Sequence, residues 1–241
     1  NEAKTRRIPS ARIFDLQNTF KDQKASLPNT MPSPEYFEKE IRKIGINNDS
    51  IIIIYDHHGV YSSPRAWWIF KTMGHKNVAI LDGGYPAWNK ANLPIAIQAN
   101  YDGEHGNFKA NYQANLIKSA REVLANLNKQ NISIIDARPE GRFHGTAPEP
   151  RAHLKNGHIP GSQNLPSLKI IKDGKLLPVE NLKDIYGTLN LENKEIIFSC
   201  GSGITACVIA LGAEVVGYNS KAIFDGSWTE WSSTEGLPIK K

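Results

Sequence analysis

Four landmarks recur in the same order in the two halves of this 241-residue chain, and that repetition restricts the fold more than any other feature. The first half carries Ile8-Pro9-Ser10-Ala11, then Ile51-Ile52-Ile53-Ile54-Tyr55-Asp56, then Asp82-Gly83-Gly84 and Trp88. The second carries Ile159-Pro160-Gly161-Ser162, then Glu195-Ile196-Ile197-Phe198-Ser199-Cys200, then Asp225-Gly226-Ser227 and Trp231. Asp56 to Asp82 is 26 residues, Cys200 to Asp225 is 25, and the step from Asp to Trp is six in both copies. The expected organisation is two related domains in tandem, residues 1–96 and 111–241. A linker at 97–110 lies within a stretch rich in Asn, Gly, Gln and Pro.

Each copy alternates strand and helix, so the expected class is α/β, with a mainly parallel sheet covered on both faces. Short apolar runs at 51–55, 78–81, 132–135, 195–199 and 222–224 read as strands. Ser63-Pro64 reads as the N-cap and first residue of a helix that Gly74 ends. Its counterpart spans 204–216 and ends at Gly217. Gly212 inside that helix costs about 1 kcal/mol relative to Ala, which signals close packing. An amphipathic helix is expected at 116–127, ahead of the strand at 132–135. The first copy shows no such lead-in, so it is expected to lack its N-terminal strand and helix.

Composition removes several classes. The net charge of +5 is scattered without a Lys/Arg block, which suits small anions rather than nucleic acid. No apolar run approaches the roughly 18 residues of a spanning helix, so no membrane partner is expected. Two cysteines exclude a disulfide scaffold, and no zinc-type Cys or His spacing occurs, so neither metal nor other cofactor is expected. Nothing after Asn1 reads as a secretion signal, and a cytoplasmic location is expected.

The chemistry concentrates at Cys200. A buried strand delivers it to the carboxyl edge of a parallel sheet, where open α/β folds bind ligands. Gly201-Ser202-Gly203 lets the backbone curl so that its N–H groups point inward, and Ile204-Thr205 enters a helix whose N-terminus favours anions. A cysteine there is expected to be a reactive thiolate, whereas Cys207, one helical turn on, reads as core. In the other copy Asp56 occupies the equivalent position and cannot act as a sulfur nucleophile, so that domain is expected to be silent. A cysteine phosphatase would need Arg six residues after the cysteine, where this chain has Ala206. Gly201-Ser202-Gly203 also lacks the Gly-x-Ser-x-Gly spacing of a serine hydrolase.

With these residues in place, the chain resembles the tandem rhodanese-domain sulfurtransferases along essentially its whole length. The resemblance implies an inactive domain followed by an active one, and sulfur transfer through a persulfide on Cys200. The loop Cys200-Gly201-Ser202-Gly203-Ile204-Thr205 is similar to Cys-Gly-Ser-Gly-Val-Thr of members that use 3-mercaptopyruvate, and less so to the Cys-Arg-Lys-Gly-Val-Thr of thiosulfate users. Ser202 is implied as a catalytic partner of Cys200, with Gly201, Gly203, Ile204 and Thr205 binding substrate. Gly141-Arg142-Phe143 and Pro148-Glu149-Pro150-Arg151 also match, which implies that Arg142 and Arg151 hold the donor's carboxylate and carbonyl. Arginine is the preferred fork for a carboxylate in any case. Implied acceptors are cyanide, a small thiol or a thioredoxin-like protein. Mercaptopyruvate users pair the loop serine with an Asp and a His in the first domain, and those positions align here with Gln17 and Asn29. A non-catalytic binding module of the same fold is the alternative of another class; such modules usually lose the cysteine that this chain keeps.

Overall fold

The computed structural model describes residues 6–97 and 101–241, in which the apolar runs become strands and the chain divides into two units. Of the described residues, the first unit takes 6–24, Met31–Gln113 and Asp173–Lys175. The second takes Ala25–Thr30, Ala114–Lys172 and Leu176–Lys241. The first unit runs β1 (Arg6–Arg7), α1 (Pro34–Lys43), β2 (Ile52–Ile54), α2 (Ser63–Thr72), β3 (Val78–Ile80), α3 (Gly84–Lys90) and β4 (Ala96–Ile97). The second runs β5 (Ile117–Lys118), α4 (Ala120–Leu124), β6 (Ile132–Asp136), α5 (Glu140–Phe143), β7 (Gln163–Asn164), β8 (Ile171–Lys172), β9 (Lys175–Leu176, whose first residue falls in the first unit), α6 (Val179–Gly187), β10 (Glu195–Ser199), α7 (Thr205–Val215), β11 (Lys221–Phe224) and α8 (Ser227–Ser233).

In the second unit the order β5-β11-β10-β6-β7 forms one parallel sheet. Its central strands are buried on both faces, as an all-parallel sheet requires. Val123, Ile134, Ile197, Phe224, Trp228 and Trp231 form the core on one side. α7 is apolar all round, with every residue from Ala206 to Ala213 buried. The register sets Ser199 beside Asp136, and Ala137 N–H donates to the Ser199 carbonyl at 2.8 Å. Cys200 and the segment after Asp136 therefore emerge side by side at the carboxyl edge.

The first unit is smaller. β2 and β3 pair in parallel, and α2 packs against them. Phe14, Phe20, Phe37, Phe70 and Phe108 cluster, with Phe37–Phe70 edge-on at 5.4 Å. Residues 101–113 belong to this unit, and Phe108 is fully buried. β1 and β4 form a separate antiparallel ribbon.

Three expectations are corrected. The helix expected at 116–127 is only α4, because Ile117–Lys118 pairs with β11 and a capping box at Ser119 and Glu122 starts the helix afterwards. The N-cap of α2 is Ser62 rather than Ser63, and it makes no side-chain cap bond; the N–H groups of both serines donate to Asp56 instead. Coverage on both faces holds in the second unit but not the first, where Ile51 and Ile53 are 82% and 58% exposed.

Gly212 is as tightly placed as expected: a Cβ there would lie 2.6 Å from Tyr186 Oη and 2.9 Å from Ile170 Cδ1. Gly212→Ala should destabilise the protein by about 1–3 kcal/mol, against Ala's better helix propensity. Adding Tyr186→Phe, which removes the clashing hydroxyl, should recover part of that loss in a double-mutant cycle from denaturant melts. Strict additivity would contradict the packing argument.

Candidate active site

Cys200 follows the last residue of β10 and is buried, with Sγ facing its own loop. Gly203 N–H donates to Sγ at 3.1 Å, and Ser227 Oγ lies 3.9 Å from it. Gly203 reaches this position with φ +81, a conformation that favours glycine. Ile204 is the N-cap of α7 and Thr205 its first residue, so the loop runs into a helix N-terminus. On the outer side, the first N–H groups of α8 hold the loop carbonyls. Trp228 N–H donates to Cys200 O at 2.9 Å, and Thr229 N–H to Gly201 O at 3.0 Å. With those two carbonyls held by α8, the loop presents the Gly203 N–H to the sulfur.

Ser227 has no role in the sequence reading, yet it braces this geometry. Its Oγ accepts from Cys200 N–H at 3.2 Å and donates to Phe224 O at 2.8 Å. Its φ is +50, and its repeat counterpart is Gly84, at φ +53. A serine kept where the other copy has a left-handed glycine is the signal that marks it.

Arg142 lies over the loop: a Cβ on Gly201 would sit 3.0 Å from its Nη2. Its Nε and Nη2 donate to Glu149 at 3.1 and 2.5 Å, and the side chain stays 22% exposed. Glu149 also accepts from Arg138 Nη1 at 2.9 Å, and Arg138 pairs with Asp136 at 2.7 Å. Arg138 stacks on Trp228 at 4.2 Å and donates to Gly157 O. The row Asp136–Arg138–Glu149–Arg142 alternates in sign, so each buried charge has an opposite neighbour, as burial demands. Arg151 is exposed; its Nη1 donates to Thr229 Oγ1, which in turn donates to Gly201 O. Arg142 thus lies close to Gly201, and Arg151 is linked to the Gly201 carbonyl through Thr229. Glu149 and Thr229, which position them, lie outside the sequence-read set.

Ser202 is half-buried, and its Oγ accepts from Asn29 Nδ2 at 3.1 Å. Asn29 belongs to the short 25–30 segment that falls in this unit. Gln17 lies in the other unit, where its N–H donates to Asp15.

The first copy's loop handles an anion differently. Asp56 Oδ2 accepts N–H bonds from Tyr61, Ser62 and Ser63 at 3.0, 2.8 and 2.8 Å, and Oδ1 accepts from His58 at 2.8 Å. The carboxylate fills its own loop and caps α2, which leaves this cradle no room for an external anion.

A family model for the rhodanese-like domain matches residues 1–91 and 119–234. A 3-mercaptopyruvate sulfurtransferase of Escherichia coli K12 is 35% identical over 97% of this chain and 83% of its own length. A mitochondrial thiosulfate/3-mercaptopyruvate sulfurtransferase of Arabidopsis thaliana is 36% identical over 97% of this chain and 67% of its own. The crystal structure of a 3-mercaptopyruvate sulfotransferase from Escherichia coli superposes with a TM-score of 0.83 at 33% identity, covering 94% of this chain and 85% of that one.

His158 holds the residue after Arg142: it stacks on Phe143 at 4.0 Å and bonds Phe143 O through Nδ1. Burial lowers its pKa below the ordinary histidine value. The unfolded chain therefore binds the extra proton first, and stability should fall as pH drops below about 6.5. The slope of melting temperature against pH in that window should flatten in His158→Gln; an unchanged slope would contradict the assignment.

Proposed function

The chain belongs to the rhodanese-like family and is a sulfurtransferase, and from that premise we propose that Cys200 carries the sulfur as a persulfide, with 3-mercaptopyruvate as the favoured donor. The Gly203 N–H aimed at Cys200 Sγ carries this reading, because a donor directed at sulfur suits an anionic nucleophile and then its persulfide. The thiolate attacks the donor's outer sulfur, and a second nucleophile later removes that sulfur and restores the thiolate. Arg142, oriented by Glu149, and Arg151, oriented by Thr229, bind the donor's anionic end. Ser202 offers a hydroxyl to the donor's oxygen, and Gly201, Ile204 and Thr205 line the loop. Cyanide, a small thiol or a thioredoxin-like protein would serve as acceptor. Both cysteines are free thiols, which suits a reducing compartment such as the cytoplasm.

Mercaptopyruvate is favoured because Gly201 and Ser202 bring no charge to the loop, whereas a dianion gains from a cationic one. A second reading, thiosulfate as donor, draws support from Asn29 and Gln17 at the positions the loop serine's partners would occupy.

Steady-state transfer to a common acceptor, with the two donors at equal concentration, tests both readings. Cys200→Ser should remove turnover with either donor and leave the melting temperature within a few degrees. Arg142→Ala should cost about ten- to a hundred-fold in kcat/KM, the loss of a hydrogen bond to a charged group. Full activity in Cys200→Ser would overturn the mechanism, and a thiosulfate preference would replace the favoured donor with the second.

A further inference from the structure

We propose that Asn29 is a positioning residue that fixes Ser202 as a hydrogen-bond donor and thereby sets the balance between sulfur donors; this rests on the reading of Cys200 and Ser202 given above. Asn29 is distant in sequence from the loop it touches, and its Nδ2 donates to both Oγ and O of Ser202, at 3.1 and 3.2 Å. The segment is shaped for this contact. Asn29 sits at φ +58, a left-handed conformation that asparagine tolerates better than most residues, and Thr30 Oγ1 donates back to Leu27 O at 3.2 Å. Residues 25–30 fall in the second unit although the chain on either side belongs to the first.

The direction of the bond determines the chemistry. An amide NH2 only donates, so the Ser202 oxygen accepts from Asn29 and its own hydrogen is directed elsewhere. Nδ2 takes up no proton in the working pH range, so Asn29 cannot draw a proton through the serine. Ser202 is therefore a neutral donor and not a base.

That matters unequally for the two donors. With mercaptopyruvate, Cys200 thiolate attacks the mercapto sulfur, a new S–S bond forms and the C–S bond breaks. The electron pair passes to the methylene carbon and is shared with the carbonyl oxygen as an enolate. Sulfur is oxidised to the sulfane level as the carbon is reduced. The enolate carbon takes a proton from water, and the outer sulfur loses its proton to solvent. Thiolate and mercaptopyruvate thus become persulfide anion and pyruvate, with atoms and charge conserved. The Ser202 hydroxyl stabilises the enolate oxygen. With thiosulfate the S–S bond breaks and sulfite leaves as a stable anion, with no enolate to stabilise.

The test is single-turnover sulfur loading of Cys200 by each donor across pH, for the wild type, Asn29→Ala, Asn29→Asp and Asn29→His. Asn29→Ala should lower the ratio of mercaptopyruvate to thiosulfate kcat/KM about ten-fold, the worth of one hydrogen bond in the transition state. Asn29→Asp keeps the shape but reverses the bond, drawing the serine hydrogen out of the site, and should lower the ratio further. Asn29→His should add an ionisation near about 6.5 to the mercaptopyruvate profile. A ratio unchanged in both Ala and Asp variants, or a pH profile unaltered by His, would overturn the proposal. Failure of the wild type to load Cys200 from either donor would instead remove the reading on which the proposal rests.

Discussion

An acceptor atom held by backbone N–H groups where a parallel strand meets a helix is the interaction around which both copies are arranged. The strand ends and helix N-termini of such a sheet share one edge, and that edge favours negative charge. In the first copy the acceptor is the Asp56 carboxylate, bonded by four N–H groups of its own loop. In the second it is the Cys200 sulfur, with Gly203 N–H directed at it. The same local physics gives a closed, self-liganded loop in one case and a cysteine sulfur within a glycine-rich loop in the other.

Holding that sulfur in place takes much of the second unit. α8 binds the loop carbonyls, Ser227 accepts from the Cys200 N–H, and the Asp136–Arg138–Glu149–Arg142 row carries positive charge to the loop without leaving a buried ion alone. Glu149 is the link that matters most in that row. Removing it would leave Arg138 buried without one of its two carboxylates and Arg142 unheld, a kind of change that costs about 3–5 kcal/mol. The position of Arg142 thus follows from ion pairing and that of Arg151 from a hydrogen bond to Thr229, with Gly201 lacking the Cβ that would crowd the first of them.

The repeat, the parallel class, the placement of Cys200 at a strand end and the packing at Gly212 were all legible in the sequence, because each rests on short-range patterns. The front of the second copy was misread because the apolar spacing of residues 116–127 fits a helix, while Ile117 and Lys118 answer to a partner strand more than a hundred residues away. The N-cap of α2 was misread because the N–H groups there are bound by Asp56, which the local Ser-Pro pattern does not reveal. Glu149, Thr229 and Ser227 were missed as site residues since their contacts are set by tertiary structure. Of these, only Ser227 left a trace, as a serine opposite the left-handed Gly84.

The central claim is that the sulfur held in this loop is where transferred sulfur resides. The most direct measurement is mass spectrometry of the intact chain and its peptides after exposure to 3-mercaptopyruvate without an acceptor, followed by addition of cyanide. The account predicts a chain heavier by one sulfur atom, with the addition located by peptide fragmentation on Cys200 and lost when cyanide is added. Sulfur located on Cys207, or turnover with no sulfur-loaded form of Cys200 at any time, would contradict it.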